Sequence, residues 1–191
     1  MDVDILHLSK SYGEKCIFTD LSLTFPDHGI YCLMAPSGRG KTTLFRIMAG
    51  LEKPDSGVIR GIRAGHTGIV FQEDRLVDFL DPVQNISLVC PKSTSGKTIE
   101  TSLRNILPEN CLKQPISELS GGMKRRVSLA RAMWYPSSLI LMDEPFTGLD
   151  QKTRRNVIQY LLDLRKDRTL IVSTHDPEDA ELLGGKVVHL D

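Results

Sequence analysis

Apolar and polar positions change rhythm several times along the chain. From Val3 to Leu8, and again from Cys16 to Phe25, they alternate with the period of half-buried antiparallel strands. A Gly-containing turn near Tyr12–Gly13 is expected to join the two. Ile30 to Met34 is a continuous apolar run, the signature of a strand covered on both faces. It leads into Ala35-Pro-Ser-Gly-Arg-Gly-Lys-Thr-Thr43 and a helical stretch from Leu44 to Ala49, closed by Gly50. Val58 to Arg60 and Gly68 to Phe71 predict two further short strands. Between Glu73 and Tyr135 the strand signal fades. Asn85 to Val89, Thr98 to Ile106 and Met123 to Met133 predict helices, punctuated by Pro82, Pro91, Pro108 and Pro115. After Pro136 strand and helix alternate: Ser138 to Met142 strand, Lys152 to Arg165 helix, Thr169 to Ser173 strand, Pro177 to Leu183 helix, Lys186 to Leu190 strand.

Strands alternating with helices predict an α/β fold with a parallel sheet covered on both faces. A length of 191 residues allows one domain, or one domain carrying a small insert. The expected division is a core of residues 1–72 and 136–191, with a helical subdomain at 73–135. With 24 Lys and Arg against 24 Asp and Glu, the balanced charge argues against a broad nucleic-acid surface. No apolar run approaches the roughly 18 residues of a membrane span. MDVDILHLSK, acidic at Asp2 and Asp4, has no apolar core of a signal peptide. Ending at Asp191, the sequence is expected to carry no C-terminal regulatory domain. Cys16, Cys32, Cys90 and Cys111 form no C-x-x-C pair, which predicts thiols in a reducing compartment.

The segment from Ala35 to Thr43 has the strand-before, helix-after context of a phosphate loop. Gly38 and Gly40 let backbone N–H groups close around phosphate oxygens at the positive end of the following helix. Pro36, Ser37 and Arg39 complete the loop. Lys41 would reach the β- and γ-phosphates, Thr42 would offer a hydroxyl to Mg²⁺, and Thr43 would bond an α-phosphate oxygen. Ala35 stands where the pattern G-x-x-x-x-G-K-[ST] has its first glycine. Ala is tolerated there if the backbone has negative φ, so negative φ is expected. The loop alone predicts a nucleotide binder and leaves kinase, GTPase and transport ATPase open.

Ser138-Leu-Ile-Leu-Met-Asp-Glu is an apolar strand ending in two carboxylates. In a P-loop ATPase Asp143 would hold Mg²⁺ and Glu144 would take a proton from, or orient, the attacking water. By itself the pair could equally face solvent before Pro145. Gln72, after the strand at Gly68 to Phe71, would ligate Mg²⁺ or the water, or is a surface residue. His175, beyond Ser173, would bond γ-phosphate oxygens, or is structural. Tyr12 would stack on adenine, or is an exposed turn aromatic.

Leu119-Ser-Gly-Gly-Met resembles the signature motif of ATP-binding-cassette (ABC) ATPases, most often written Leu-Ser-Gly-Gly-Gln. The remaining motifs come in that family's order: Tyr12, Ala35 to Thr43, Gln72, Leu119 to Met123, Leu139 to Glu144, Thr147-Gly-Leu-Asp150 and His175. The resemblance implies a P-loop NTPase core with a mixed, mainly parallel sheet, an N-terminal antiparallel β subdomain and an inserted α-helical subdomain. It implies an ATPase using ATP and Mg²⁺, with Gln72, Thr42 and Asp143 toward the metal and Glu144, His175, Gln72 and Lys41 toward catalysis. It also implies a head-to-tail pair of cassettes, with Ser120, Gly121, Gly122 and Asp150 of one copy meeting the ATP of the other. A homodimer or paired cassette, a transmembrane permease and a substrate-binding protein are the expected partners, at the cytoplasmic face of the membrane and without nucleic acid. Phe71-Gln-Glu-Asp-Arg-Leu and Ser-Gly-Gly-Met-Lys are similar to the ATPases of nitrate-, sulfonate- and taurine-type importers. An exporter subunit and a non-transport ABC ATPase are the alternatives.

Overall fold

A computed structural model describes residues 2–36 and 38–190; among these, no helix is long and apolar enough to cross a membrane. The chain divides into two compact units. The first comprises Met1–Ile69, Ser137–Asp143 and Asp167–Asp191; the second comprises Val70–Pro136 and Glu144–Lys166.

In the first unit, β1 (Val3–Tyr12) and β2 (Lys15–Phe25) form a hairpin, and β4 (Ser56–Arg60) pairs antiparallel with the other edge of β1. The alternation in β1 is interrupted in a way the sequence alone hides. Val3 and Ile5 are buried, so strict alternation would bury His7; instead Leu8 is buried. A bulge between Ile5 and Leu8 absorbs the extra residue. His7 and Asp20 sit there with φ of 52° and 54°, and His7 Nδ1 meets Asp20 Oδ1 at 2.6 Å.

The second sheet has five strands in the order β5 (Thr67–Val70), β6 (Leu139–Asp143), β7 (Thr169–Ser173), β3 (Ile30–Met34), β8 (Lys186–His189). The pairs β6/β7, β7/β3 and β3/β8 are parallel. Every residue of β6 and β7 is buried, which is why their sequences show no alternation. The helix α1 (Lys41–Met48) buries Leu44, Phe45, Ile47 and Met48, and Gly50 follows its end in the left-handed region at φ 72°. Phe25 and Tyr31 pack edge-to-face at 5.2 Å beneath it in the same core. The helix α6 (Pro177–Leu183) is capped by Asp176 and packs on β3.

The second unit is helical: α2 (Pro82–Ser87), α3 (Gly96–Leu103), α4 (Gly121–Trp134) and α5 (Gln151–Arg165), with single 3₁₀ turns at Glu109–Cys111 and Ile116–Glu118. Asp81 and Gln84 cap α2 reciprocally. Asn85, fully buried, accepts from Val77 N and donates to the carbonyls of Val77, Leu80 and Asp81, closing the loop before the helix. The division differs from the one expected at 73–135. Residues 144–166, assigned to the core by sequence order, group with the helical unit. The cause is α5: Tyr160 hydrogen-bonds Ser102 Oγ at 3.0 Å and accepts from Trp134 Nε1 at 3.4 Å, and α5 packs along α4.

Candidate active site

The loop from Ala35 to Gly40 links β3 to α1 within the first unit. Gly38 and Gly40 have φ of 81° and 88°, a region that favours glycine. A Cβ on Gly40 would also meet Ile17 Cγ2 at 2.4 Å, so this position excludes a side chain twice over. Ala35 is not among the described residues with positive φ, which is the condition for Ala to replace the motif's first glycine. Ser37 lies outside the described residues. Gly40 gives α1 no side-chain cap, and the first turn carries no acidic residue. The N–H groups that a Ser or Asp would otherwise satisfy are thus available to an anion, and no local carboxylate repels one. Lys41, 8% exposed, begins the helix and donates through Nζ to Ala35 O at 2.7 Å. Its ammonium is therefore held over the loop itself. Arg39 N donates to Pro36 O at 3.3 Å, tightening the turn.

Three neighbouring strand ends meet this loop. Asp143 ends β6, opposite Ser173 at the end of β7, which is in turn opposite Leu33 of β3. Asp143 is buried, yet both its oxygens are engaged. Oδ2 accepts from Thr42 Oγ1 and Oδ1 from Ser173 Oγ, each at 2.5 Å. Two hydroxyl donors offset the cost of burying the carboxylate. Among the described residues no group of three or more His, Cys, Asp or Glu is placed to hold a metal ion. A cation here would rest on the Thr42 hydroxyl and the Asp143 carboxylate, with other oxygens from phosphate or water. That hard, sparse oxygen set suits Mg²⁺, which keeps several waters and borrows substrate oxygens. Ser173 was missed by sequence reasoning; its one signal was a polar residue ending an otherwise apolar strand, as Asp143 does.

Beyond Ser173 the chain is pinned. Thr174 Oγ1 donates to Asp179 Oδ2 at 2.5 Å and accepts from Asp176 N at 3.1 Å, leaving His175 exposed on the short connection to α6. Tyr12, at the end of β1, belongs to the same unit and is 47% exposed. Its phenol donates to Glu52 Oε1.

The second unit holds Gln72, Ser120, Gly121, Gly122, Glu144 and Asp150. Of the three residues expected around Mg²⁺, the structure therefore joins Thr42 and Asp143 directly, while Gln72 belongs to the other unit. Ser120 caps α4, accepting from Met123 N at 3.3 Å, with Gly121 and Gly122 in the first turn. Met123, where the signature has Gln, places its sulfur 3.9 Å from Cys111 Sγ. Asp150 caps α5, accepting from Thr153 N at 2.9 Å and Thr153 Oγ1 at 2.6 Å. Those bonds hold its carboxyl below the ordinary value.

The residue that organises this unit is Arg125, which the sequence did not single out. It projects from α4 and is 6% exposed. Its guanidinium donates to Glu144 O at 2.8 Å, Pro145 O at 3.0 Å, Phe71 O at 2.7 Å, Gln72 O at 3.3 Å and Asp74 Oδ1 at 3.2 Å. One planar group on the signature helix thus grips the backbone at both Gln72 and Glu144. Glu144 needs such a grip: its φ is 45°, a left-handed conformation costly for a residue with a Cβ.

A family model described as "ABC transporter" matches residues 18–147. A sulfate/thiosulfate import ATP-binding protein of Synechocystis is 35% identical over 98% of this chain and 58% of its own length. An aliphatic sulfonates import ATP-binding protein of Burkholderia cenocepacia is 33% identical over 98% of the chain and 73% of its own length. The chain thus spans about three fifths of the first of these relatives. Among solved structures, an ATP-binding cassette in a dimeric, post-hydrolysis state bound to ADP and Pi superposes with a TM-score of 0.86 at 27% identity. That match covers 99% of this chain and 94% of the other. The fold is that of the ATP-binding cassettes, and the chain belongs to the ABC transporter family.

Proposed function

We propose that this member of the ABC transporter family is the ATP-binding and ATP-hydrolysing subunit of a membrane importer for a small anion. The observation that carries the proposal is Asp143, bonded on one oxygen by Thr42 of the phosphate-loop helix and on the other by Ser173 of the adjacent strand. This is a loop for phosphates, a strand-end carboxylate for a hard cation and a rigid bridge between them. The backbone N–H groups at Gly38 to Thr42 would hold the β- and γ-phosphate oxygens, and Lys41 would turn its ammonium from Ala35 O to them. When bound, Mg²⁺ supplies charge neutralisation at those oxygens, held by Thr42 and Asp143. Glu144 would orient and deprotonate the attacking water, with Gln72 and His175 at the γ-phosphate.

Two copies, or two paired cassettes, would close head to tail on two ATP molecules. Ser120 and Gly122 of one would face the phosphate loop of the other, with Asp150 beside them. ATP favours closure because it touches both halves only when they are shut, and hydrolysis releases it. The chain would sit on the cytoplasmic face of the membrane against a permease, fed by a substrate-binding protein. The names of its relatives favour sulfate, thiosulfate or an aliphatic sulfonate as cargo, ahead of taurine or nitrate.

The test is Glu144→Gln with ATP and Mg²⁺, measured by light scattering and phosphate release. A trapped dimer with turnover lost supports the proposal, and unchanged hydrolysis removes Glu144 from catalysis. Affinity purification from detergent-solubilised membranes tests the partner: a co-purifying permease supports transport, while ribosomal proteins in its place would refute it. Uptake of labelled sulfate and alkanesulfonate by the reconstituted complex then decides the cargo.

A further inference from the structure

Tyr12 is half exposed at a strand end, where an aromatic ring ordinarily swings among rotamers. Here it is held. The turn that follows α1 folds back along β1: Leu51 N donates to Arg46 O at 2.9 Å, Asp55 N to Ser9 O at 2.9 Å, and Ser11 N to Asp55 Oδ2 at 2.7 Å. That clasp carries Glu52 to the Tyr12 phenol, which donates to it. Glu52 is itself fixed, its side chain only 17% exposed, by Lys10 Nζ at 3.4 Å and Arg46 Nε at 3.9 Å. Lys10 is anchored in turn by Lys53 O at 3.0 Å and Asp55 Oδ1 at 3.2 Å, and its ammonium lies 5.1 Å from the centre of the Tyr12 ring. One ring face is therefore covered by a cation. Glu52, which accepts from the phenol, raises it above its ordinary value.

We infer that Glu52 is a positioning residue for the nucleotide. Anchored by Lys10 and Arg46, it fixes the Tyr12 ring so that the face away from Lys10 is a preformed platform for the base. The inference rests on the nucleotide-binding role proposed above and adds to it the residues that orient the platform. Its physical basis is that a ring already held in one rotamer loses no further freedom when a base stacks on it.

The test separates base from phosphate. Binding of ATP and of inorganic tripolyphosphate, which has no base, is measured by calorimetry for wild type, Glu52→Ala, Glu52→Gln and Tyr12→Phe. Glu52→Ala and Tyr12→Phe should each weaken ATP roughly two- to tenfold, the cost of ordering one free side chain. Glu52→Ala should leave tripolyphosphate unchanged, and the double variant should be no worse than the weaker single one. Glu52→Gln, which keeps an acceptor for the phenol, should recover most of the ATP affinity. Glu52→Ala with wild-type ATP affinity would overturn the inference. So would an equal loss for both ligands, which would mean damage to the phosphate loop. Wild type binding tripolyphosphate as tightly as ATP would remove the platform while leaving the loop intact. Wild type binding neither would overturn the nucleotide proposal itself, and this inference with it.

Discussion

Replacing Arg125 with Met keeps the apolar stem of the side chain and deletes the guanidinium. The carbonyls of Phe71, Gln72, Glu144 and Pro145 and the Asp74 carboxylate all lose a donor. A buried acceptor left unsatisfied costs about 1–3 kcal/mol, but water can reach the exposed Gln72 and the partly covered Phe71, Asp74 and Glu144. Pro145, which is buried, bears the full cost. A net loss of about 3–4 kcal/mol follows, at the low end for breaking a buried charged pair. For a chain of this length that lowers Tm by roughly 10 °C. On the proposed role of Glu144 in orienting the attacking water, the functional effect comes through Glu144. Its left-handed backbone costs about 1–2 kcal/mol, and without the clamp on its carbonyl it relaxes. A shift of about 1 Å at a catalytic carboxylate lowers kcat on the order of 100-fold. ATP affinity should stay within about threefold, because a lost positioning contact of this kind acts on turnover and not on ground-state binding. Arg125→Lys, with three donors and no planar fork, should fall between. The assay is thermal melting beside steady-state phosphate release. If Arg125→Met melts near wild type and hydrolyses ATP at the wild-type rate, or loses ATP affinity with kcat intact, Arg125 does not act by positioning Glu144.

Three further outcomes are expected. Ser173→Ala removes the Ser173 hydroxyl donor to the Asp143 carboxylate; melting should show a loss of about 1.5–3 kcal/mol, and the Mg²⁺ concentration for half-maximal hydrolysis should move. Gly40→Ala meets both a positive φ and Ile17, and should abolish tripolyphosphate and ATP binding in calorimetry even where circular dichroism shows a folded protein. The Thr153 bonds hold the Asp150 carboxyl below its unfolded value of about 3.9, so their stabilisation is complete above that pH and is lost as pH falls through the lower folded value. The wild-type Tm should therefore fall faster than that of Asp150→Asn as pH is lowered below about 4; parallel curves would show that the bonds to Thr153 contribute nothing there.

The strand and helix rhythm of the chain was legible within a few residues almost everywhere, because period two, period 3.6 and continuous apolar runs each reflect one local environment. Thr169–Ser173 and Pro177–Leu183 fall where the pattern puts them. The places where the pattern misleads have physical causes. In β1 the bulge at His7 shifts burial to Leu8, and Gly57 of β4, whose Cβ would meet His7 O at 2.3 Å, lies against that kink. At α5 the amphipathic stripe announced a helix without saying which neighbour it would cover, and Tyr160 chose α4.

The candidate site divides the same way. The phosphate loop, the Ser120-Gly121-Gly122 motif and the acidic end of β6 could be read directly, since backbone handedness and strand ends are decided by adjacent residues. Nothing local announces that Thr42, Asp143 and Ser173 share one carboxylate, or that Arg125 reaches Gln72 and Glu144. Nor does anything local announce that Glu52 holds Tyr12. Those partners lie tens of residues apart and become neighbours only when strands stack side by side and a turn folds back on its sheet. A short window of sequence encodes dihedral preference and the side a residue buries; which distant group occupies the other end of a hydrogen bond is settled by the packing of the whole chain.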